Sequence, residues 1–141
     1  MTAQIETWLI ALQADGGRLT APRRAVVDIM ATTNRVLSPQ QVYDQARQHH
    51  PALGLVTVYR TLERLEELGF IERVHSAAGC HAFIRTGQGH DHMLLCVACG
   101  RAQRFSGDDL NDLFASIESR TGYTITTHWL QLFGTCPECR A

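Results

Sequence analysis

Two Cys-x-x-Cys pairs constrain this chain of 141 residues more than any other feature of its sequence. Cys96 and Cys99 form the first pair, and Cys136 and Cys139 form the second. Each pair presents two sulfur atoms to one ion, and two such pairs complete a tetrahedral thiolate shell around zinc. A zinc ion with four protein ligands has no open position for water, so its predicted role is structural. The fold must therefore bring two distant segments together.

Two other interpretations of the cysteines stay open at this stage. The pairs could be redox motifs, or the cysteines could be buried without metal. Neither pair precedes a helix in a strand–helix–strand context, as a thioredoxin-like motif would, and in a reducing compartment the spacing indicates metal before disulfide. The fifth cysteine, Cys80, stands alone, and a lone cysteine is more often a small apolar residue than a ligand.

Composition excludes several classes of protein. Apolar residues make up 45% of the chain and charged residues 19%, which is not a disordered composition. No apolar run approaches the ~20 residues of a membrane span, and the first residues lack the basic start of a signal peptide, so a cytoplasmic protein is expected. The net charge is -1, and all 13 basic residues are arginines. Any DNA contact must therefore come from a few placed arginines rather than from a basic field.

The first half of the chain has the pattern of a winged helix. Apolar periodicity and turn residues predict helices over residues 5–14, 22–33, 39–50 and 56–68, with Thr20 and Ser38 as N-caps. Strands over 70–74 and 81–84 are predicted to form a hairpin. Short helices followed by a hairpin indicate a winged helix, and the fourth helix takes the place of a recognition helix.

The second half follows a glycine-rich hinge at residues 86–89 and has a different pattern. Strands are predicted over 90–95 and 102–105, a helix over 108–119 with Ser106 as its cap, and an alternating strand over 123–133. The predicted fold class is α+β, with a winged helix-turn-helix domain over 1–85 and an α/β domain over 90–141 that carries the four-cysteine zinc site.

Several polar side chains are candidates for DNA contact. Arg23 and Arg24 stand in the first turn of the second helix, where a cation opposes the helix dipole unless a phosphate is bound there; two solvated arginines are the plainer interpretation. On the fourth helix, four residues lie off the apolar stripe: Thr57, Tyr59, Arg60 and Arg64. An aromatic ring beside an arginine can contact bases and phosphates, although a surface tyrosine can also pack locally.

Three motifs together resemble the ferric uptake regulator family. They are Leu19-Thr20-Ala21-Pro22-Arg23, Thr57-Val58-Tyr59-Arg60-Thr61-Leu62, and Gly89-His90-Asp91-His92 before Cys96-Val97-Ala98-Cys99-Gly100. The resemblance covers nearly the whole chain. It implies a homodimeric repressor that binds palindromic operator DNA when loaded with metal, with residues 90–141 as the dimerisation domain. It also assigns DNA contact to Arg23, Thr57, Tyr59 and Arg60.

The resemblance also bears on which metal is sensed. Positions where iron and peroxide sensors of this family carry ligands here hold Arg35-Val36-Leu37, Ile84 and Arg104. Zinc sensors of the family use a cysteine in this region, and Cys80 matches that choice. A thiolate beside imidazoles suits zinc better than iron(II) or manganese(II). The chain is therefore most similar to the zinc uptake regulator subgroup.

The candidate ligands of a regulatory metal site are mainly histidines. His90 and His92 share one face of a predicted strand, and His128 matches a ligand on the last strand, whereas Asn111 stands where a carboxylate is usual. If the strand bulges before Cys96, the two histidines join Cys80 instead. Glu72 could join either arrangement, and the hairpin adds His75 and His81 as further candidates.

The sequence thus predicts a zinc-responsive repressor and not an enzyme. Its expected cofactors are one structural zinc per chain and a regulatory zinc, and its expected partners are double-stranded DNA and a second copy of itself. No membrane and no small-molecule substrate beyond the metal ion are expected. An iron-, manganese- or peroxide-responsive regulator is the alternative. A thiol or zinc enzyme built on Cys80 and His81 is more remote, because an enzyme needs an open metal position or an activated nucleophile in a pocket.

Overall fold

The computed structural model describes residues 2–75, 81–87, 91–106 and 110–141. The chain divides into two compact units, Met1–Thr86 and Gly87–Ala141, called here the first unit and the second unit. The mixture of helices and sheets confirms the predicted α+β class. Among the described residues, no helix combines the length and the apolar character that crossing a bilayer requires. The predicted turn at 76–79, Cys80 and the second half of the predicted hinge, residues 88–89, lie outside the described residues.

The first unit consists of four helices and a two-stranded hairpin. Its elements are α1 (Thr2–Ala14), α2 (Ala21–Thr32), α3 (Pro39–Ala46), α4 (Leu55–Glu67), β1 (Ile71–His75) and β2 (His81–Arg85). Strands β1 and β2 pair antiparallel, and Leu37 exchanges two backbone hydrogen bonds with Phe83 of β2, at 2.9 and 2.8 Å. This bridge ties the hairpin to the segment before α3. The helices and the hairpin form the predicted winged helix.

One apolar cluster holds the first unit together. Val26 of α2, Val42 of α3, and Val58 and Leu62 of α4 are fully buried, as the helical spacing of apolar residues predicted. Trp8 of α1 stacks on Phe70 with ring centroids 5.0 Å apart. The core therefore contains side chains from every helix of the first unit. Because the apolar face of α4 packs in this core, its polar face points away from it.

Caps fix where the helices begin. The Thr20 hydroxyl accepts a hydrogen bond from the backbone N–H of Arg23 at 3.4 Å, and Ser38 and Gln41 form a reciprocal capping box. Both N-caps confirm the sequence prediction. Helix α3 ends at Ala46, earlier than the predicted stop at Pro51, because residues 47–49 form a turn.

The second unit is a small three-stranded sheet with two helices. Its elements are β3 (His92–Cys96), β4 (Ala102–Phe105), α5 (Asn111–Thr121), β5 (Gln131–Gly134) and α6 (Pro137–Arg140). The strand order is β4-β3-β5, with β4 antiparallel and β5 parallel to β3. The central strand β3 therefore has a partner on each side.

Two predictions for the second unit are wrong. Helix α5 begins at Asn111 with Leu110 at its N-cap, so Ser106 is not its cap. The predicted strand over 123–133 is reduced to β5, because residues 122–130 have no regular structure. Tyr123 and Trp129 within that segment are 77% and 98% exposed. Their alternation with polar residues therefore does not mark a face that this unit buries.

Candidate metal centre and DNA-binding surface

Four cysteines meet in the second unit. One ligand atom from each of Cys96, Cys99, Cys136 and Cys139 lies within 4.8 Å of the other three. The Sγ atoms of Cys99 and Cys136 are 3.8 Å apart, and the backbone N–H of Cys136 points to the Cys96 sulfur at 3.3 Å. The two predicted pairs thus form one cluster, and all four thiols are free rather than joined in disulfides.

The sheet explains why two distant segments meet. Cys96 ends β3, and its register partner on the parallel strand β5 is Gly134, two residues before Cys136. The N–H of Val97 donates to the Gly134 carbonyl at 2.9 Å and continues the pairing beyond the strands. Gly100 closes the first Cys-x-x-Cys turn with a positive φ of 73°, a conformation that costs glycine little.

Backbone donors and neighbouring thiols give the four sulfurs different acidities. Backbone hydrogen bonds from Cys136 and then Cys99 lower the pKa of Cys96 to about 6. The side chains of Cys136 and Cys99 raise the pKa of Cys139 to about 12, because they hydrogen-bond its protonated thiol. One thiol is thus readily ionised, whereas four thiolates at this spacing need a cation to hold them together.

The cluster fits a zinc ion. Zn–S bonds of about 2.3 Å at tetrahedral angles place two sulfurs about 3.8 Å apart, which matches the separation of Cys99 and Cys136. Arg101 and Glu138, one beside each cysteine pair, form an ion pair at 2.6 Å that joins the two pairs. All four positions of a tetrahedral shell would come from protein, so such an ion would stabilise the fold and activate no water.

A second group of metal-ligating side chains lies in the same unit. His92, on β3, is 3% exposed, and its ring centroid is 5.4 Å from that of His128. Phe105 lies 5.5 Å from His92, and Phe114 lies 4.6 Å from His128, measured between ring centroids. The structure thus brings together two residues that were predicted as regulatory ligands, with two aromatic rings that the sequence did not single out.

The other predicted regulatory ligands are not part of this pair. Cys80 and His90 lie outside the described residues. Glu72 is on β1 of the first unit, partly buried and opposite Ile84 in the hairpin register. Arg104 stands where the family resemblance places an acidic ligand in iron sensors. Its guanidinium packs on the backbone of Gly87, and a Cβ added at that glycine would lie 2.7 Å from its Nη1 atom. A cationic side chain therefore takes the place of an acidic ligand.

The recognition helix α4 presents the predicted DNA-contact residues on its polar face. Tyr59 is 47% exposed, Arg60 is exposed and Thr57 is half-buried. In α2, the guanidinium of Arg23 donates to the carbonyl oxygen of Arg18 at 3.0 Å, and this fixes its direction. Helix α4 has no acidic residue in its first turn, so the positive end of its dipole is not neutralised locally.

A cleft of about 220 Å³ joins Arg23 to Arg60. Arg18 and Arg64 also line it, opposite a single carboxylate, that of Asp15. Because Arg64 is ion-paired with Asp15, the guanidinium groups of Arg18, Arg23 and Arg60 are the ones that suit an anion such as a DNA phosphate. Arg18 was not among the predicted DNA-contact residues, although its place next to the Leu19–Arg23 motif was a usable signal.

Arg64 differs from the other arginines of the cleft. It forms ion pairs with Asp15, at the end of α1, and with Glu67, one turn further along α4. Its side chain is 35% exposed, less than the open face of α4 would suggest. Arg64 thus joins α4 to the loop after α1, a role that the helical spacing of its position could not reveal.

A winged-helix unit followed by an α/β unit with a four-thiol cluster defines a class of protein, the metal-dependent regulators of transcription. Comparisons with known proteins identify the family. The ferric uptake regulator family model matches residues 14–133. A ferric uptake regulation protein of Legionella pneumophila is 35% identical over 132 residues, which span 92% of this chain and 96% of the relative.

Two further matches are to proteins named as regulators of zinc uptake. A zinc uptake regulation protein of Mycobacterium tuberculosis is 29% identical over 130 residues, which span 92% of this chain and all of the relative. A solved structure of a zinc uptake regulator complexed with zinc and DNA has a TM-score of 0.69 at 20% identity, over 99% of this chain and 94% of that one. This chain belongs to the ferric uptake regulator family, whose members are metal-responsive regulators and not enzymes.

Proposed function

We propose that this protein is a zinc-responsive repressor that acts in the cytoplasm and binds palindromic operator DNA as a homodimer. The observation that carries the zinc assignment is the pairing of buried His92 with His128, 5.4 Å apart between ring centroids. Imidazole ligands in an aromatic enclosure suit a borderline cation such as zinc better than the hard, oxygen-seeking manganese(II) ion. The Mycobacterium tuberculosis relative, described as a zinc uptake regulation protein, supports the same assignment.

In this proposal the two metal sites have different roles. Cys96, Cys99, Cys136 and Cys139 hold a structural zinc, one per chain, that stabilises the second unit. His92 and His128 belong to the regulatory site, with Cys80, His90 and Glu72 as its other candidate ligands. A closed four-thiolate site exchanges its ion reluctantly, so changes in free zinc are sensed at the histidine-rich site.

The DNA-reading surface consists of Thr57, Tyr59 and Arg60 on α4, with Arg23 from α2. Tyr59 and Arg60 are exposed side by side and so can reach a base edge and a phosphate at the same time. The arginine-lined cleft between Arg23 and Arg60 supports a bound phosphate in that place. A chain with a net charge of -1 needs such local concentration of positive charge to bind DNA.

Exposed apolar side chains of the second unit support the homodimer. Leu94, Leu132 and Phe133 are 41–50% exposed on β3 and β5, and Trp129 is almost fully exposed. Strand β5 is at one edge of the sheet, and an apolar edge strand is a surface that a partner can cover. A twofold dimer presents two recognition helices to half-sites about 34 Å apart, which accounts for a palindromic operator.

A binding assay at buffered free zinc tests the proposal. Duplexes that bind the zinc-loaded protein are first selected from a random pool, and their affinity is then measured by fluorescence anisotropy with zinc and with chelator. Operator affinity should rise with free zinc in the wild type. Arg60→Ala should lose about 1–3 kcal/mol of operator binding per protomer, whereas Arg120→Ala, an exposed arginine of α5, should bind like wild type.

The regulatory site is tested separately with His128→Gln, matched to His49→Gln in the first unit. Loss of a supporting residue around a metal costs about 10–100-fold in affinity, and loss of a ligand should cost at least as much. His128→Gln should therefore need at least about tenfold more free zinc for operator binding, while His49→Gln should respond like wild type. Operator binding that is indifferent to zinc in the wild type would refute the proposal.

An iron- or manganese-responsive or peroxide-responsive regulator is the second candidate. The Legionella pneumophila relative, described as a ferric uptake regulation protein, favours it, because at 35% identity it is more similar to this chain than the zinc relative at 29%. The same operator assay with buffered iron(II) and manganese(II), with and without peroxide, separates the candidates. Tighter operator binding with iron(II) than with zinc, each at its physiological free concentration, would favour this second function.

A further inference from the structure

Two exposed histidines, which the sequence offered only as further candidate ligands, face each other across the hairpin of the first unit. His75 ends β1, His81 begins β2, and the two are register partners. Their ring centroids are 5.8 Å apart, and the rings meet edge to face at 76°. Two imidazoles at paired positions of neighbouring strands project to the same face of a hairpin.

This separation is close to the one that a shared metal ion requires. Zn–N bonds of about 2.0–2.1 Å at a tetrahedral angle place the centroids of two ligating imidazoles about 5 Å apart. The difference from 5.8 Å can be closed by small side-chain rotations. Because the antiparallel register already fixes the two backbones, little chain entropy is lost when both rings bind one ion.

The charges near the two histidines are those of an ion pair between Glu66 and Arg73. The pKa of Glu66, on α4, is lowered first by its hydrogen bond with Arg73, and further by the charges of His81 and His75. The Glu66 carboxylate is therefore close enough to interact with positive charge on this histidine pair. Arg73 donates to both oxygens of Glu66, at 3.1 and 2.8 Å. The positive charge of Arg73 is thus balanced by Glu66 and repels a metal ion less than a lone arginine would.

We propose that His75 and His81 chelate one zinc ion in the winged-helix unit, independently of the four-thiol site and of the His92–His128 pair. Two protein ligands leave coordination positions to water, so the ion exchanges freely and is not a structural zinc. Bound zinc joins β1 to β2 at the distal end of the described hairpin and stiffens it. The inference does not depend on the proposed function, because it rests on a different unit and on different ligands.

The test uses the full chain with its four-cysteine site loaded and the variants His90→Ala and His128→Ala combined, so that the regulatory site keeps only His92 of its three candidate histidines. Zinc is titrated against a competing fluorescent chelator, and the ring nitrogens of the histidines are followed by ¹⁵N NMR. One further zinc per chain should bind, and it should shift the ring nitrogens of both His75 and His81. His75→Gln and His81→Gln should each weaken that binding by about tenfold or more.

The matched controls are His49→Gln and His50→Gln, which change two consecutive histidines elsewhere in the same unit. Both variants should still bind the zinc ion proposed at His75 and His81. The wild-type NMR titration keeps the proposal testable if the combined variant does not fold. The proposal is overturned if no further zinc binds, if zinc shifts only one of the two rings, or if the glutamine variants bind it like wild type. The proposed repressor function survives each of these results, since it is tested by operator binding.

Discussion

Removal of the four-thiol zinc should unfold the second unit and leave the first unit folded. Among the described residues of the second unit, the buried side chains are those of His92, Met93, Leu95 and Cys96, all on β3. Neither α5 nor α6 has a buried residue. By contrast, the first unit has an apolar cluster to which all four of its helices contribute. The perturbation is either chelation to zero zinc or the variant Cys139→Ser.

The expected size of the effect follows from this burial. Burying Met93 and Leu95 contributes about 1.5–3 kcal/mol each, whereas ordering the backbone costs about 1–2 kcal/mol per residue. A structural zinc site supplies about 10–16 kcal/mol in small peptides. The metal is therefore the larger stabilising contribution, and its loss should lower amide protection in β3 by at least about 10³-fold, or roughly 4 kcal/mol.

Hydrogen–deuterium exchange measured by mass spectrometry checks this at one fixed protein concentration, because dimerisation would also stabilise the second unit. Peptides covering β3 and β5 should lose protection in the chelated protein and in Cys139→Ser, while peptides covering α4 should not change. Arg140→Ala, next to Cys139, is the matched control and should keep both zinc and protection. Unchanged protection of β3 at a measured zinc content of zero would refute the reasoning.

Three other predictions concern the first unit. Ser38→Ala removes the capping box of α3 and should cost about 1 kcal/mol, seen as a lower Tm, while Ser106→Ala, at a position that caps no helix, should change it little. Leu62→Ala leaves a cavity in the core and should cost about 2–5 kcal/mol in urea unfolding. The hydrogen bond with Arg73 lowers the pKa of Glu66. The pair therefore stabilises the fold at pH values above the ordinary glutamate pKa of about 4.3. This stabilisation is lost as the pH falls through the lowered pKa of Glu66. Arg73→Gln should return the Glu66 titration, followed by ¹³C NMR, toward that ordinary value; a titration that stays low would contradict the assignment to Arg73.

The first unit could be predicted from sequence because its signals are local. Thr20 and Ser38 mark helix starts by their own hydrogen bonds, and Gly69, with a φ of 79°, follows the end of α4. The apolar stripe of α4 repeats at helical spacing and is buried as expected. Each signal depends only on near neighbours in the chain, and the apolar core of this unit agrees with it.

Prediction failed in the second unit where the sequence does not show what packs against each face of a strand. Alternation over residues 123–133 indicates two different faces but not what covers them, and only Gln131–Gly134 pairs with β3. Ser106 is a good capping residue by type, yet α5 starts beyond it. In a unit with few buried side chains, propensity alone decides too little.

The candidate sites also differ in how far local sequence signals predict them. The spacing of Cys96, Cys99, Cys136 and Cys139 was enough to predict one cluster, because thiolate–zinc geometry allows few alternatives. The pairing of His92 with His128 followed from the family resemblance, since nothing local connects them. The ion pair between Arg64 and Asp15 followed from neither. An exposed position on a helix does not tell which distant carboxylate will reach it.

The unequal cores of the two units bear on where regulation can occur. A metal can shift an equilibrium only between states that differ by a few kcal/mol, and it acts through its unequal affinity for them. The first unit buries side chains such as Val26, Val58 and Leu62 completely, so we expect its folded state to be the harder one for a regulatory metal to shift. The second unit buries little beyond β3, and His92 is itself one of its buried residues. We therefore expect a metal ion at His92 to act on the strand that carries the buried side chains described for the second unit, and to change the order of the surface proposed for dimerisation.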